Sequence, residues 1–231
     1  MGIQNAWRDI VQIIFPNICQ LCNAPLPAGR HYICDLCYNG LETFQAEYYP
    51  ILIERMEDIK FDEIIIAFQF TEIFKKIIHL LKYGGYQDIA TLFARSLLPL
   101  IRSDYDFITS VPLHPQKERE RGFNQSTLIA KQLAKYLEIP FNESLTRVRY
   151  TKSQTKLNRE RRKQNMRNAF RLSSSVEGKK LLIVDDVITT GATLNSCAGV
   201  LRDGKCERVD IIALSTPVDI LQEKLEQTII I

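Results

Sequence analysis

An α/β fold built on a parallel sheet, with a small cysteine-rich module ahead of it, is the architecture these 231 residues predict. Three observations carry that expectation. Residues 180–184 (Lys-Leu-Leu-Ile-Val) are almost wholly apolar, the pattern of a strand covered on both faces. A helical stretch over 192–203, stopped at Gly204, and a second apolar run over 208–214 follow at short spacing. That is the order of a βαβ unit, and hence of a parallel sheet flanked by helices. Near the start, Cys19, Cys22, Cys34 and Cys37 form two C-x2-C pairs separated by eleven residues.

The elements are read in order as follows. Ile3, Trp7, Ile10, Val11 and Ile14 recur at helical spacing, so residues 2–15 predict a short amphipathic helix that docks on the rest of the chain. The cysteine pairs over 16–45 are flanked by Pro16, Pro25, Pro27 and Gly29, which is turn chemistry rather than the strand-to-helix setting of a redox pair. Two such knuckles wrap four thiolates around one metal, and a tetrahedral site closed by Cys19, Cys22, Cys34 and Cys37 predicts structural zinc with no position left for catalysis. Residues 62–68 read as a buried strand. Thr71 is placed to cap a helix to about Leu81, Lys82 to Tyr86 break it, and a further helix runs over 87–101. Residues 105–111 form a strand ended by Pro112, and after a basic turn Phe123, Leu128, Ile129, Leu133 and Leu137 mark the next helix. The expected division is 1–50 for the leading helix and zinc module and 51–231 for the α/β domain, with separate cores.

Composition narrows the class. Hydrophobic content of 45% and charged content of 25% exclude wholesale disorder. No run approaches the roughly 18 apolar residues of a membrane span, so no membrane insertion is expected. The first nine residues lack a basic n-region, and Arg8 and Asp9 interrupt any apolar core, so a cytoplasmic location is expected. The net charge of +3 conceals segregation: residues 112–171 hold 15 Lys and Arg against 5 Glu. A basic face or loop of that kind meets nucleic acid, a phosphorylated small molecule, or both, the plainer alternative being a solvated charged loop.

The sharpest chemical signal is the run from Leu181 to Thr193. A buried strand delivers Asp185 and Asp186 at its carboxyl end, where ligands of open α/β sheets bind, and a Thr/Gly loop then opens a helix. Backbone N–H groups of such a loop, with the hydroxyls of Thr189, Thr190 and Thr193, form an anion cradle together with Gly191 and Ala192. Paired acids beside a phosphate require something neutral or cationic between them, and sugar hydroxyls or Mg²⁺ satisfy that. The site therefore reads as one for a ribose 5′-phosphate. The two carboxylates are expected to face solvent and repel each other when the site is empty. His114 is the candidate proton acceptor near the site, because its unperturbed pKa is suitable. A role in positioning or in phosphate contact stands equally. His79, on an apolar helix face, His31 and Cys197 read as structural.

Residues 180–193 resemble the phosphoribosyl pyrophosphate motif of type I phosphoribosyltransferases, and the chain as a whole resembles the ComF family of competence proteins (the ComFC and GntX-like group). The resemblance spans 15–215. It rests on Phe15 to Cys22, on Lys82-Tyr83-Gly84-Gly85, on Ser110 to His114 with Arg119 to Gln125, and on Gln154, Leu157, Arg162, Asn165 and Ala169-Phe170. It implies a type I phosphoribosyltransferase-like sheet with a four-cysteine zinc-finger module in front of it. Asp185 and Asp186 would meet the ribose hydroxyls and Thr189 to Thr193 the 5′-phosphate. Val111, Pro112, Leu113 and His114 would form the pyrophosphate loop, and the basic residues of 147–162 a closing lid. Mg²⁺ would accompany the ligand. Enzymes that salvage 6-oxopurines carry Asp where this chain has Thr189, so that substrate class is disfavoured.

Two functions remain open at this level. One is an interaction protein of natural transformation that binds phosphoribosyl pyrophosphate and handles single-stranded DNA, with Arg159, Arg161, Lys163 and Arg167 free to meet phosphates. Its partners would include a DNA-uptake helicase or other competence proteins. The other is an active phosphoribosyltransferase of small-molecule metabolism with no DNA role. Fold alone does not choose between them.

Overall fold

The computed structural model describes residues 17–27, 32–56, 58–101, 104–148 and 169–217. The expected leading helix, His31 and the basic positions Arg159, Arg161, Lys163 and Arg167 lie outside them. In chain order the elements are α1 (Asp35–Asn39), α2 (Tyr49–Glu54), β1 (Glu63–Gln69), α3 (Glu72–Tyr83), α4 (Ile89–Leu97), β2 (Phe107–Ser110), α5 (Pro115–Arg121) and α6 (Gln125–Leu137). There follow β3 (Leu145–Arg147), β4 (Phe170–Leu172), β5 (Lys180–Val187), α7 (Ala192–Asp203) and β6 (Arg208–Thr216).

The sheet is wholly parallel, in the order β1-β6-β5-β2, and β3 and β4 make a separate antiparallel pair. Each strand buries both faces, so its alternate residues feed two different cores. On one face Leu182, Val184 and Ile212 pack with Phe74 and Ile77 of α3, Phe93 of α4 and Ile129 and Leu133 of α6. On the other, Leu181, Ile183, Ile211 and Ala213 pack with Leu52 of α2 and Leu194, Cys197 and Leu201 of α7. Burying an aliphatic side chain of this size contributes about 2 kcal/mol, and β5 and β6 supply buried side chains to both cores. The expectation for Cys197 as a core residue holds, since it is fully buried.

Local signals fixed several ends. Thr71 caps α3 by accepting from the Phe74 N–H at 3.3 Å. Pro99 sits in a short 3-10 turn (Leu98–Leu100) that closes α4 earlier than the expected 101. Helix α5 has no apolar periodicity, so hydrophobic spacing does not announce it; Pro115 at its first turn and His114 as its cap do. His79 is exposed and lies against the Tyr83 ring, which corrects its placement on an apolar helix face.

Strand β5 runs to Val187 rather than stopping at Val184, and β2 ends opposite Val184. Asp185 and Asp186 are therefore strand residues, and both are buried. This overturns the expectation that they face solvent: helices close over both sheet faces at this level and each carboxylate finds a partner inside. A second correction concerns the cores. Ile33 and Leu41 of the cysteine module belong to the same buried cluster as α3, α4 and α6. The Tyr38 hydroxyl donates to the Leu92 carbonyl at 2.9 Å, and Gln69 N–H donates to the Glu42 carbonyl at 2.8 Å. So small a module has little apolar area of its own, and it borrows the domain's.

Candidate functional site

The site gathers at the carboxyl ends of β2 and β5. Successive side chains on a strand point to opposite faces, so the adjacent acids are sent apart. Asp186 goes to the α3 face and forms an ion pair with the Lys82 ammonium. Asp185 goes to the α7 face, where the Ser126 hydroxyl donates to it at 3.1 Å and its charge acts on Arg147 and Cys197. Burial first, and then the charge of Asp186, push the Asp185 carboxyl up to about 8, against the downward pull of the Asp186 N–H and Ser126.

Beyond the acids the Thr/Gly loop turns into α7. Thr189 is exposed, Thr190 and Thr193 are half-buried, and Thr190 Oγ1 accepts from the Ala192 N–H at 3.5 Å. Gly191 has φ +71°, and a Cβ there would come within 2.8 Å of Met56 Cγ, so glycine is required on both counts. The turn after β2 is pinned by Asn124, whose side-chain amide donates to the Val111 carbonyl at 2.9 Å. Pro112 and Leu113 line a polar recess with Ser110, Asn124, Thr127 and Glu143. His114 Nδ1 accepts from the Gln116 N–H at 3.2 Å, so this ring caps α5.

Four cations converge here: Lys82, Lys117, Arg121 and Arg147. Burial, then the charges of Arg147 and Arg121, hold the Lys117 ammonium below its usual range. Burial likewise lowers Arg147, opposed by Cys197 and Asp185, and its guanidinium lies over the Phe170 ring at 5.4 Å. Sequence reasoning named none of the four individually, although Lys82 and Arg121 stand inside motifs it quoted and Arg147 opens the basic stretch it read as a closing lid. Their signal was dispersed over α3, α5 and β3, and only the fold brings those elements together. A cation cluster beside buried carboxylates is suited to a ligand with hydroxyls at one end and phosphates at the other.

The cysteines form a second centre. The four Sγ atoms lie within 4.8 Å of one another, and Cys22 Sγ and Cys34 Sγ are 3.6 Å apart. A Zn–S bond of about 2.3 Å gives tetrahedral sulfur edges of about 3.8 Å, so the cluster fits that ion. The Cys34 N–H donates to Cys19 Sγ at 3.4 Å. Burial acts upward on Cys19, but this N–H and those of Cys22 and Leu21 bring the thiol down to about 6, while burial and the neighbouring sulfurs push Cys37 up. Four sulfurs gathered this closely could hold one such cation.

Parallel sheet, terminal acid pair and glycine-turned Thr/Gly loop together define a protein with a phosphoribosyltransferase domain, and the profile of the Phosphoribosyl transferase domain matches residues 124–226. More particularly, the chain belongs to the ComF family. It is 31% identical over 210 residues to the DNA utilization protein YhgH of Escherichia coli (strain K12), covering 82% of this chain and 92% of that one. It is 28% identical to Competence protein F of Haemophilus influenzae (85% of this chain, 96% of that one) and 27% identical to Competence protein ComFC of Bacillus subtilis (90% and 81%). No helix among the described residues is long and apolar enough to cross a membrane.

Proposed function

We propose that this chain is a ComF-type protein that binds phosphoribosyl pyrophosphate at the carboxyl edge of its sheet and assists the handling of single-stranded DNA in natural transformation. The observation that carries the first half is the placement of Asp185 and Asp186 beside Lys82, Lys117, Arg121 and Arg147. In this reading the acids meet the ribose hydroxyls, Thr189 to Thr193 hold the 5′-phosphate, and the cations with the turn Val111–His114 receive the pyrophosphate. The carboxylates are hard oxygen donors that suit Mg²⁺, which would neutralise phosphate charge in the complex. The DNA half is supported by the names of the relatives and by the basic excess of residues 112–171. The protein would act in the cytoplasm, with a DNA-uptake helicase or other competence proteins as partners.

The second reading, turnover as a phosphoribosyltransferase, is favoured by the same cations, which would stabilise a departing pyrophosphate at the anomeric carbon. His114 is the proposed proton acceptor in that reading, through the ring nitrogen that does not cap α5.

Calorimetric titration with phosphoribosyl pyrophosphate and Mg²⁺ tests the proposal. Wild type is expected to bind, and Asp185→Asn with Asp186→Asn to lose at least about tenfold in affinity, the effect of about 1.4 kcal/mol. Equal binding by the double variant overturns the ribose assignment. Pyrophosphate release, with and without bases, amines and single strands, then decides on turnover.

A further inference from the structure

Among the described residues, Tyr83 is the aromatic ring left furthest in solvent, 65% exposed at the end of α3. An aromatic so exposed loses the burial that usually stabilises such rings. Its surroundings are built nonetheless. The His79 ring, one turn back, lies 4.9 Å from it, centroid to centroid. The Arg121 guanidinium of α5 stands 5.0 Å from the ring centroid and donates to the Tyr83 hydroxyl at 3.2 Å. Arg121 is in turn held by Gln125 at the first turn of α6. Three elements thus fix the orientation of a ring that covers no core.

The stack also has a direction. The residue before Tyr83 is Lys82, paired with Asp186, and Arg121 acts on Lys117 within the cation cluster. A flat apolar surface therefore borders a group of positive charges. Exposed aromatics beside cations are how single strands are bound without sequence preference, the base stacking while its phosphate is neutralised.

We propose that Tyr83, braced by His79 and Arg121, is a nucleobase-stacking platform at the rim of the site, and that a phosphate of the nucleotide whose base stacks there reaches Lys82 and Lys117. This rests on the DNA half of the proposed function and gives it a residue-level location. The shared chemistry is a nucleotide, its base stacked and its sugar phosphate neutralised, supplied by a strand or free in solution. The platform stands apart from the basic segment whose charge first pointed to polyanions, because it reads the base and not only the backbone.

The test uses the full chain and compares, by fluorescence anisotropy, an oligothymidylate strand with an abasic strand of equal length, with thymidine 5′-monophosphate as competitor. Wild type is expected to favour the strand with bases. Tyr83→Ala should lower affinity for that strand by about tenfold, the worth of one base–aromatic stack, and leave the abasic strand unaffected. Tyr83→Phe should retain most of the preference, since it keeps the ring. Tyr83 is exposed, and an unchanged melting temperature verifies the fold. Displacement by the mononucleotide at the strand's own affinity assigns the platform to a free nucleotide, and a clear preference for the strand assigns it to DNA. If wild type and Tyr83→Ala bind both strands alike, the platform is refuted while DNA handling stands. If no strand or nucleotide binds, both fall.

Discussion

Asp185 occupies a strand position whose surroundings are closed by Ser126, Arg147 and Cys197, and its carboxyl is pushed up to about 8, by burial first and the charge of Asp186 second. A carboxyl raised in the folded state favours folding below its unfolded value of about 4, and that contribution is lost as pH rises to about 8. Asp185→Asn should therefore match wild type in thermal stability near pH 3.5 and exceed it by a margin that grows up to pH 8.5. A stability difference that does not change between those two pH values would refute this account. Asp186 differs in its partner, the Lys82 ammonium, with which it forms an ion pair. Asp186→Asn leaves that half-buried ammonium with a weaker acceptor and should cost about 2 kcal/mol, lowering the melting temperature by about 5 °C. Thermal melts of the two single variants read this asymmetry directly. The acids were legible in the sequence as a pair. Their division between two faces follows from the pleat, and their partners come from residues 59 and 104 positions away.

At the scale of elements, β3 and β4 matter because Val148 N–H donates to the Ala169 carbonyl at 2.9 Å. The flanks of the segment 149–168 are thus joined beside Arg147, next to the acid pair. Residues 147–171 carry ten Lys and Arg against one Glu, and two partners could use that charge: a pyrophosphate through few contacts, or a nucleic-acid backbone through many. Single-strand affinity falls with log salt at a slope of about −0.7 per phosphate neutralised. Changing Arg159, Arg161 and Lys163 to Gln should make the slope shallower by about two units while sparing phosphoribosyl pyrophosphate. Salt titrations of both ligands check it, and equal damage to the two would reduce the segment to a lid. Hydrophobic spacing had no purchase on α5, which is polar after Pro115. Its place comes from the end of β2, which it follows.

For the molecule as a whole, the decisive feature is that the cysteine module and the α/β domain share a core. Tyr32 lies against Tyr86, ring centroids 4.3 Å apart, and Tyr86 folds so closely over the end of α3 that a Cβ on Gly84 would come within 2.6 Å of its ring. That end of α3 carries Lys82, the partner of Asp186. Metal at the four cysteines, whose binding in such modules amounts to folding energy of order 10 kcal/mol, would therefore brace a helix end that carries a residue of the acid–cation site. Chelation of the purified protein, or Cys34→Ser, should lower the melting temperature of the entire chain in one transition and weaken phosphoribosyl pyrophosphate binding. Metal analysis should give about one zinc per chain in wild type and less in the variant. A domain transition unmoved by chelation would mean that the two units fold separately after all.

The amino-acid sequence by itself determined the parallel sheet, the thiol set, the Thr/Gly loop and the family. Each of these is written locally: alternating or unbroken apolar runs set strands, cysteine spacing sets knuckles, and Gly191 between threonines sets a left-handed turn. The tertiary structure alone decided the burial of Asp185 and Asp186, the convergence of Lys82, Lys117, Arg121 and Arg147, and the common core of module and domain. Those depend on which faces of distant elements meet. A local pattern specifies that a face is apolar or charged, whereas its partner is chosen only when the sheet closes and the remaining surfaces must pair.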